Sequence, residues 1–201
     1  MMKRKLLFAT GNEEKLKEIR MIMESPDIEV ISMKEAGICA DIVEDGTTFE
    51  ENARIKAKAV SAMTGEIVLA DDSGLEIDFL DGAPGVYSAR FMGVETSYEI
   101  KNTAILQKLS SVPEEKRTAR FVCAIACAMP DGRILTCRET MEGRIGYEIR
   151  GENGFGYDPI FYLPECGCYS AELPPERKNE LSHRGKALRS MREILRGEGI
   201  L

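Results

Sequence analysis

An apolar run, Ile67 to Ala70, leads directly into Asp71-Asp72-Ser73-Gly74. Side chains on a strand alternate between its faces, so two adjacent acids at a strand end point opposite ways. One carboxylate can face a cleft as a metal ligand or as a base that activates water, while the other braces the backbone. The same residues also suit an Asp-Ser turn closing a hairpin into Leu75 to Phe79. A second candidate is Thr10-Gly11-Asn12-Glu13-Glu14-Lys15, where a strand ends, a glycine turns and a helix begins. Unpaired N–H groups and the helix dipole favour an anion there, with Lys15 adding a point charge and Thr10 a hydroxyl. The second glycine and the Lys-Ser/Thr pair of a Walker loop are missing, so a plain strand-to-helix turn with a surface lysine is the ordinary alternative.

Further along, Glu44-Asp45-Gly46-Thr47 precedes Glu50, Glu51 and Asn52. Carboxylates on a turn can hold magnesium, and they also stabilise a helix start through its dipole. Lys56, inside the following helix, is the cation placed to face a phosphate; Arg54 and Lys58 read as a solvated surface. In Gly154-Phe155-Gly156-Tyr157-Asp158-Pro159, two glycines around an aromatic permit close approach to a planar ligand, and Phe155 can stack on it. A tight loop with core aromatics is the plainer account. Lys178 and Ser182-His183-Arg184-Gly185-Lys186 form a donor cluster that suits a carbonyl oxygen on a purine. His183 is the only histidine, and no nucleophile elbow accompanies it, so a Ser-His-Asp triad is not indicated. A capped basic helix explains the same segment.

The elements that must position these residues are mixed. Strand patterns fall at Lys5 to Ala9, Glu29 to Ser32, Ile67 to Asp71, Leu75 to Phe79 and Ile160 to Leu163. Arg120 to Met129 and Ile134 to Arg144 read as a long hairpin around Pro130-Asp131-Gly132. Helices are expected over Glu13 to Met23, from a Thr47 cap to about Met63, over Thr96 to Leu109, and from a Ser182 cap through His183 to Arg196. The class is α/β, and the hairpin makes the sheet mixed.

The 201 residues suit a single domain spanning 1–201, built as two lobes, and carry a net charge of −7. That charge opposes a general nucleic-acid coat, and a polyanionic ligand then calls for local cations or a metal. No apolar run is long enough to span a bilayer, and the basic start, Met1 to Arg4, is followed by too short an apolar stretch for a signal peptide. A cytoplasmic protein with six reduced cysteines is expected. Cys123 and Cys127 read as core residues, and the Cys166-Gly-Cys168 turn lacks zinc-site spacing.

Taken in order, the motifs resemble the inosine triphosphate pyrophosphatase family, also called XTP/dITP diphosphatases. The likeness runs from Leu7 to about Leu188: Ala9-Thr10-Gly11-Asn12 with Lys15, Glu44 with Gly46 to Phe49 and Glu51 to Ala53, Ala70 to Leu75, Gly82 to Arg90, Gly154 to Pro159, and Ser182 to Gly185. It implies an elongated mixed β-sheet with flanking helices, two lobes around a central cleft, and a homodimer. It also implies Mg2+-dependent hydrolysis of dITP, ITP or XTP to the monophosphate and pyrophosphate, cleansing the nucleotide pool. On the matching positions, Thr10, Gly11, Asn12, Glu13, Glu14, Lys15 and Lys56 hold the triphosphate, and Glu44 and Asp72 sit at the magnesium. Asp72 accepts the proton of the attacking water, Asp71 braces it, and Ser73 contacts the substrate. Phe155, Gly156, Tyr157 and Asp158 line the nucleoside, while Lys178, His183 and Arg184 read the 6-oxo edge. Competing readings are a diphosphatase for modified pyrimidine triphosphates, a non-catalytic nucleotide-binding protein, and a zinc hydrolase built on the cysteines and His183. The base-reading cluster opposes the first, intact Lys15, Glu44 and Asp72 the second, and the lone histidine the third.

Overall fold

The computed structural model describes residues 4–201, so the basic start read at Met1 to Arg4 lies, apart from Arg4, outside the described residues. Seven strands form one sheet in the order β2-β1-β3-β4-β5-β6-β7, with helices between them. The strands are β1 Arg4–Phe8, β2 Ile28–Ser32, β3 Val68–Ile77, β4 Thr118–Ala128, β5 Ile134–Ile145, β6 Phe161–Leu163 and β7 Cys168–Tyr169. β1 runs parallel to β2 and β3, whereas β6 is antiparallel to both β5 and β7, so the sheet is mixed as the sequence predicts. The helices are α1 Glu13–Met23, α2 Phe49–Thr64, α3 Tyr98–Lys108, α4 Pro175–Leu181 and α5 His183–Gly197. Among the described residues, no helix is long and apolar enough to cross a membrane.

The chain divides into two compact units. The first comprises residues up to Asp72 with Cys123–Glu139 and His183–Leu201. Its core is built by helical and strand periodicity together. Leu16, Ile19 and Met23 of α1, and Ala187, Leu188, Met191 and Leu195 of α5, bury one face of each helix with Leu6, Phe8, Val30, Leu69 and Ile125. Cys123 and Cys127 are buried in the same cluster, in the core role expected of them. The second unit comprises Ser73–Val122 and Thr140–Ser182. There Leu75, Ile77, Ile105, Leu109, Met141 and Ile160 surround the paired rings of Phe121 and Phe161, whose centroids are 4.4 Å apart.

Three local expectations are corrected. The two strands read at Ile67 to Asp71 and Leu75 to Phe79 are one strand, β3, which passes through Asp71-Asp72-Ser73-Gly74 without a turn. Asp and Ser favour turns when their side chains bond the local backbone, but here Asp71 and Asp72 are engaged by Lys15 and Asn52, and Leu75 N–H donates to Ser88 Oγ at 2.9 Å. The α2 cap is Thr48 rather than Thr47: Thr48 Oγ1 accepts from Glu51 N–H, while Glu51 closes the reciprocal half of a capping box and also accepts from the N–H and hydroxyl of Thr47. Ser182 ends an unforeseen helix, α4, and alone separates it from α5.

Candidate active site

In the first unit, β1 delivers Thr10 to its end, and Asn12 caps α1 by accepting from Lys15 N–H at 3.0 Å. Asn12 N–H in turn donates to the Thr10 hydroxyl at 3.2 Å, which tightens the Gly11 turn. The amides of Glu13 and Glu14 belong to a first helical turn whose donors have no intrahelical carbonyl. The Glu14 carboxylate itself pairs with Lys17 at 2.7 Å on the exposed side. A pocket of about 280 Å³ opens against this turn, lined among others by Thr10, Gly11, Asn12, Ser32, Met33 and Cys39.

The wall beyond Ser32 is tied by Glu35. Its carboxylate accepts from the N–H and hydroxyl of Ser32, both at 2.9 Å, and pairs with Arg20. The Ser32 amide first, then Arg20, holds the Glu35 carboxyl down at about 2. A depressed acid contributes fully above its unfolded value and loses that contribution as pH falls through the folded one. The tie therefore persists through the ordinary glutamate range and is released only near pH 2. An NMR titration of the Glu35 side chain is expected to show that low midpoint; a midpoint above about 4, the ordinary glutamate range, would mean the tie does not form in solution.

Lys15 Nζ lies 3.0 Å from Asp71, which is 1% exposed. Arg184 Nε approaches the same carboxylate at 3.6 Å, and the Arg184 guanidinium also pairs with Glu18 on α1. Burial by itself would raise the Asp71 pKa, but Lys15, then Arg184 and Lys56, outweigh it and keep the carboxyl well below the usual range. Asp72 points the other way, as strand alternation requires: its Oδ2 accepts from Asn52 Nδ2 at 3.0 Å. For Asp72 burial prevails over Lys15 and Lys56, and Glu44 adds to it, so its carboxyl titrates above the ordinary aspartate value.

Lys56 Nζ joins Glu44 at 2.9 Å and donates to the Asp71 carbonyl at 3.0 Å. Burial opposes its charge, yet Asp71 and Glu44 hold it more firmly protonated than a free lysine. Arg54 and Lys58 are exposed on other faces of α2, as the sequence indicates. The first unit thus gathers Thr10, Lys15, Glu44, Lys56, Asp71, Asp72 and Arg184. Sequence reasoning gave no role to Asn52 or Glu18. The i, i+4 spacing of Asn52 and Lys56 was the available sign for the former, since it puts both on one helix face.

In the second unit, the Phe155 loop is organised by Asp158. One carboxylate oxygen, Oδ2, accepts from Phe155 N–H at 2.9 Å and from Lys178 Nζ at 2.6 Å, and Oδ1 accepts from Ser170 Oγ at 2.8 Å. Gly154 has φ of +74°, and a Cβ there would sit 2.3 Å from Asp158 Oδ2, so glycine is required on both counts. The Lys178 ammonium lies 5.0 Å from the Phe155 ring centroid. The Tyr157 hydroxyl donates to Ser88 O at 2.7 Å, and Gly156 O accepts from Asn102 Nδ2 at 3.1 Å. Ser73 is half-buried on β3 of this unit. Of the donors grouped from sequence, Lys178 lies in this unit with Asp158, whereas buried His183 and Arg184 lie in the first. Among the described residues, no three His, Cys, Asp or Glu side chains are grouped to hold a metal, and all six cysteines are free.

A family model described as the Ham1 family matches residues 6–194. The chain is 50% identical over 191 residues, 95% of each chain, to a dITP/XTP pyrophosphatase of Desulforamulus reducens. It is 52% identical over 187 residues, 93% of this chain and 94% of the other, to one of an Exiguobacterium species. The Ham1 protein of Staphylococcus aureus superimposes with a TM-score of 0.87 at 39% identity, covering 97% of this chain and all of that one.

Proposed function

The chain belongs to the Ham1 family, and from that membership we propose that it hydrolyses dITP, ITP and XTP to the monophosphate and pyrophosphate, removing deaminated purines from the nucleotide pool. Half of the residues are shared across nearly the full length with proteins of that activity, and this carries the reading. The stretch matched by the family model is also the one over which the sequence motifs resemble the inosine triphosphate pyrophosphatases.

The residues divide the work. Thr10, the Gly11 to Glu14 backbone and Lys15 receive the triphosphate at the start of α1, where unpaired amides and the dipole attract an anion. Lys56 adds a second cation from α2. Glu44 and Asp72 would hold a magnesium ion: Asn52 ties Asp72 to the Gly46 turn, and Lys56 joins Glu44 to the Asp71 carbonyl beside it, so two carboxylate-bearing segments are held together within the first unit. Magnesium keeps several waters and takes substrate phosphates, so one or two protein carboxylates suffice. When bound, it offsets phosphate charge and eases deprotonation of water. Asp72, with its pKa raised by burial, is the proton acceptor for the water that attacks between the α- and β-phosphates. Asp71 orients Lys15 and Arg184, and Ser73 contacts the substrate.

Phe155 stacks on the base, and Gly156, Tyr157 and Asp158 shape the nucleoside pocket. Lys178, His183 and Arg184 supply donors to the 6-oxo edge. Opposite the amino group of adenine, each such buried donor goes unpaired at a cost of about 1–3 kcal/mol. The protein works as a homodimer, as the family resemblance implies, and in the cytoplasm, where its free thiols stay reduced.

The test is a Mg2+-dependent assay of ITP, dITP and XTP against ATP and GTP, with pyrophosphate and phosphate scored separately. Pyrophosphate released mainly from the deaminated nucleotides is the expected result. Release of phosphate, or no turnover on any purine, would overturn it and direct the search to pyrimidine triphosphates.

A further inference from the structure

Asn52 is 1% exposed, and both ends of its amide are used. Its Oδ1 accepts from Gly46 N–H at 2.9 Å, and its Nδ2 donates to Asp72 Oδ2 at 3.0 Å. The amide can be oriented only one way, because exchanging its ends would set NH2 against N–H and oxygen against carboxylate. The Gly46 turn is pressed hard against it. A Cβ on Gly46 would lie 2.7 Å from Asn52 Oδ1 and 2.7 Å from Glu51 Cβ, which accounts for a glycine there although its φ is not left-handed. One turn on, Lys56 spans the same two segments, reaching Glu44 at 2.9 Å and the Asp71 carbonyl at 3.0 Å. Helix α2 therefore joins the Glu44–Gly46 turn to the Asp71–Asp72 stretch of β3 by two parallel braces.

The braces are not equivalent. Lys56 is long, charged and flexible, and its work on a triphosphate draws Nζ away from Glu44. Asn52 is short, neutral and buried, and its bonds do not compete with any role toward substrate. We propose that Asn52 is a positioning residue that fixes the spacing between the Glu44 turn and Asp72, and so the separation of the two carboxylates that take the divalent cation. This rests on the reading of Glu44 and Asp72 as the cation's ligands. Asn52 touches neither cation nor substrate; it holds the groups that do. Lys56 can then exchange Glu44 for phosphate without the turn drifting from β3.

Two variants test it. Asn52→Ala removes both bonds and the volume, while Asn52→Leu removes both bonds and keeps the volume; thermal melts of both identify the folded variant on which the test is read. Groups that orient metal ligands typically affect affinity or activity by about 10–100-fold. The kcat for dITP at saturating Mg2+ is expected to fall within that range, with KM for dITP changed by less than about threefold, since uniform substrate binding is untouched. Mn2+ added without nucleotide and followed by electron paramagnetic resonance reads the site independently of turnover, and its affinity is expected to weaken by roughly tenfold. A folded variant with kcat and Mn2+ affinity within about twofold of the parent, well short of what a ligand-orienting group contributes, overturns the proposal. So does a loss confined to KM, or a parent that binds no Mn2+. If the parent instead binds Mn2+ but releases no pyrophosphate from dITP, the substrate reading fails, and the Mn2+ comparison still decides the role of Asn52.

Discussion

Asp72→Asn is expected to lower kcat on dITP by about 10³-fold, in the range associated with removing a positioned general base. The substitution changes almost nothing else. Asp72 lies on β3 at 9% exposure, and an asparagine of the same shape can keep its oxygen toward Asn52 Nδ2. What disappears is the ability to take a proton and the negative charge that attracts a cation. Nucleotide binding measured by calorimetry without Mg2+ should be unchanged or tighter, because a carboxylate facing a polyanion has been neutralised. The near-neutral result on binding separates loss of chemistry from loss of fold. Turnover close to that of the parent would assign the base to another residue.

The second large effect falls on stability. Asp71 is the meeting point of Lys15 and Arg184, and both it and Arg184 are almost wholly buried. Asp71→Asn leaves those cations without their carboxylate, and breaking a buried pair in this way typically costs about 3–5 kcal/mol. For a chain of this length that corresponds to a fall in Tm of roughly 10 °C. The cause is the uncompensated charge rather than a lost contact, so Asp71→Asn combined with Arg184→Leu should cost less than the sum of the two single changes. Strict additivity, measured by thermal melts of all three variants, would show that the pair is not coupled. In Asp71→Asn alone Arg184 still pairs with Glu18, which makes Lys15 the cation most displaced. A parallel rise in KM for dITP is therefore expected.

The candidate residues were largely legible because each lies in or beside a strongly patterned element or a glycine-marked loop. The apolar runs before Thr10 and Asp71 declared strands, although Asp71 and Asp72 lie within β3 rather than at its end. The opposite facing of Asp71 and Asp72 followed from strand alternation alone. The partners were not legible. Glu18 reads as one more acid on a charged helix, and nothing local says that Arg184, 166 positions later, comes to rest on it. Asn52 is the third residue of a Glu-Glu-Asn run whose plain explanation is a helix start.

The element boundaries show the same division. Helix α4 is only seven residues, Pro175–Leu181, behind two prolines, too short for a periodic pattern. The break between the strands read at Ile67 to Asp71 and Leu75 to Phe79 does not form, because contacts with Lys15, Asn52 and Ser88 satisfy groups that would otherwise bond their own backbone. The sequence by itself determined the mixed α/β class, the strands and helices that carry the chemical residues except α4 with Lys178, and the family, all of which depend on short-range pattern and motif order. Only the tertiary structure decided which charge answers which: Asp71 with Lys15 and Arg184, Asp72 with Asn52, Glu44 with Lys56, and Asp158 with Lys178. Those pairings join residues far apart in the chain, and burial, which sets both their strength and the pKa of each carboxylate, exists only once the chain has folded.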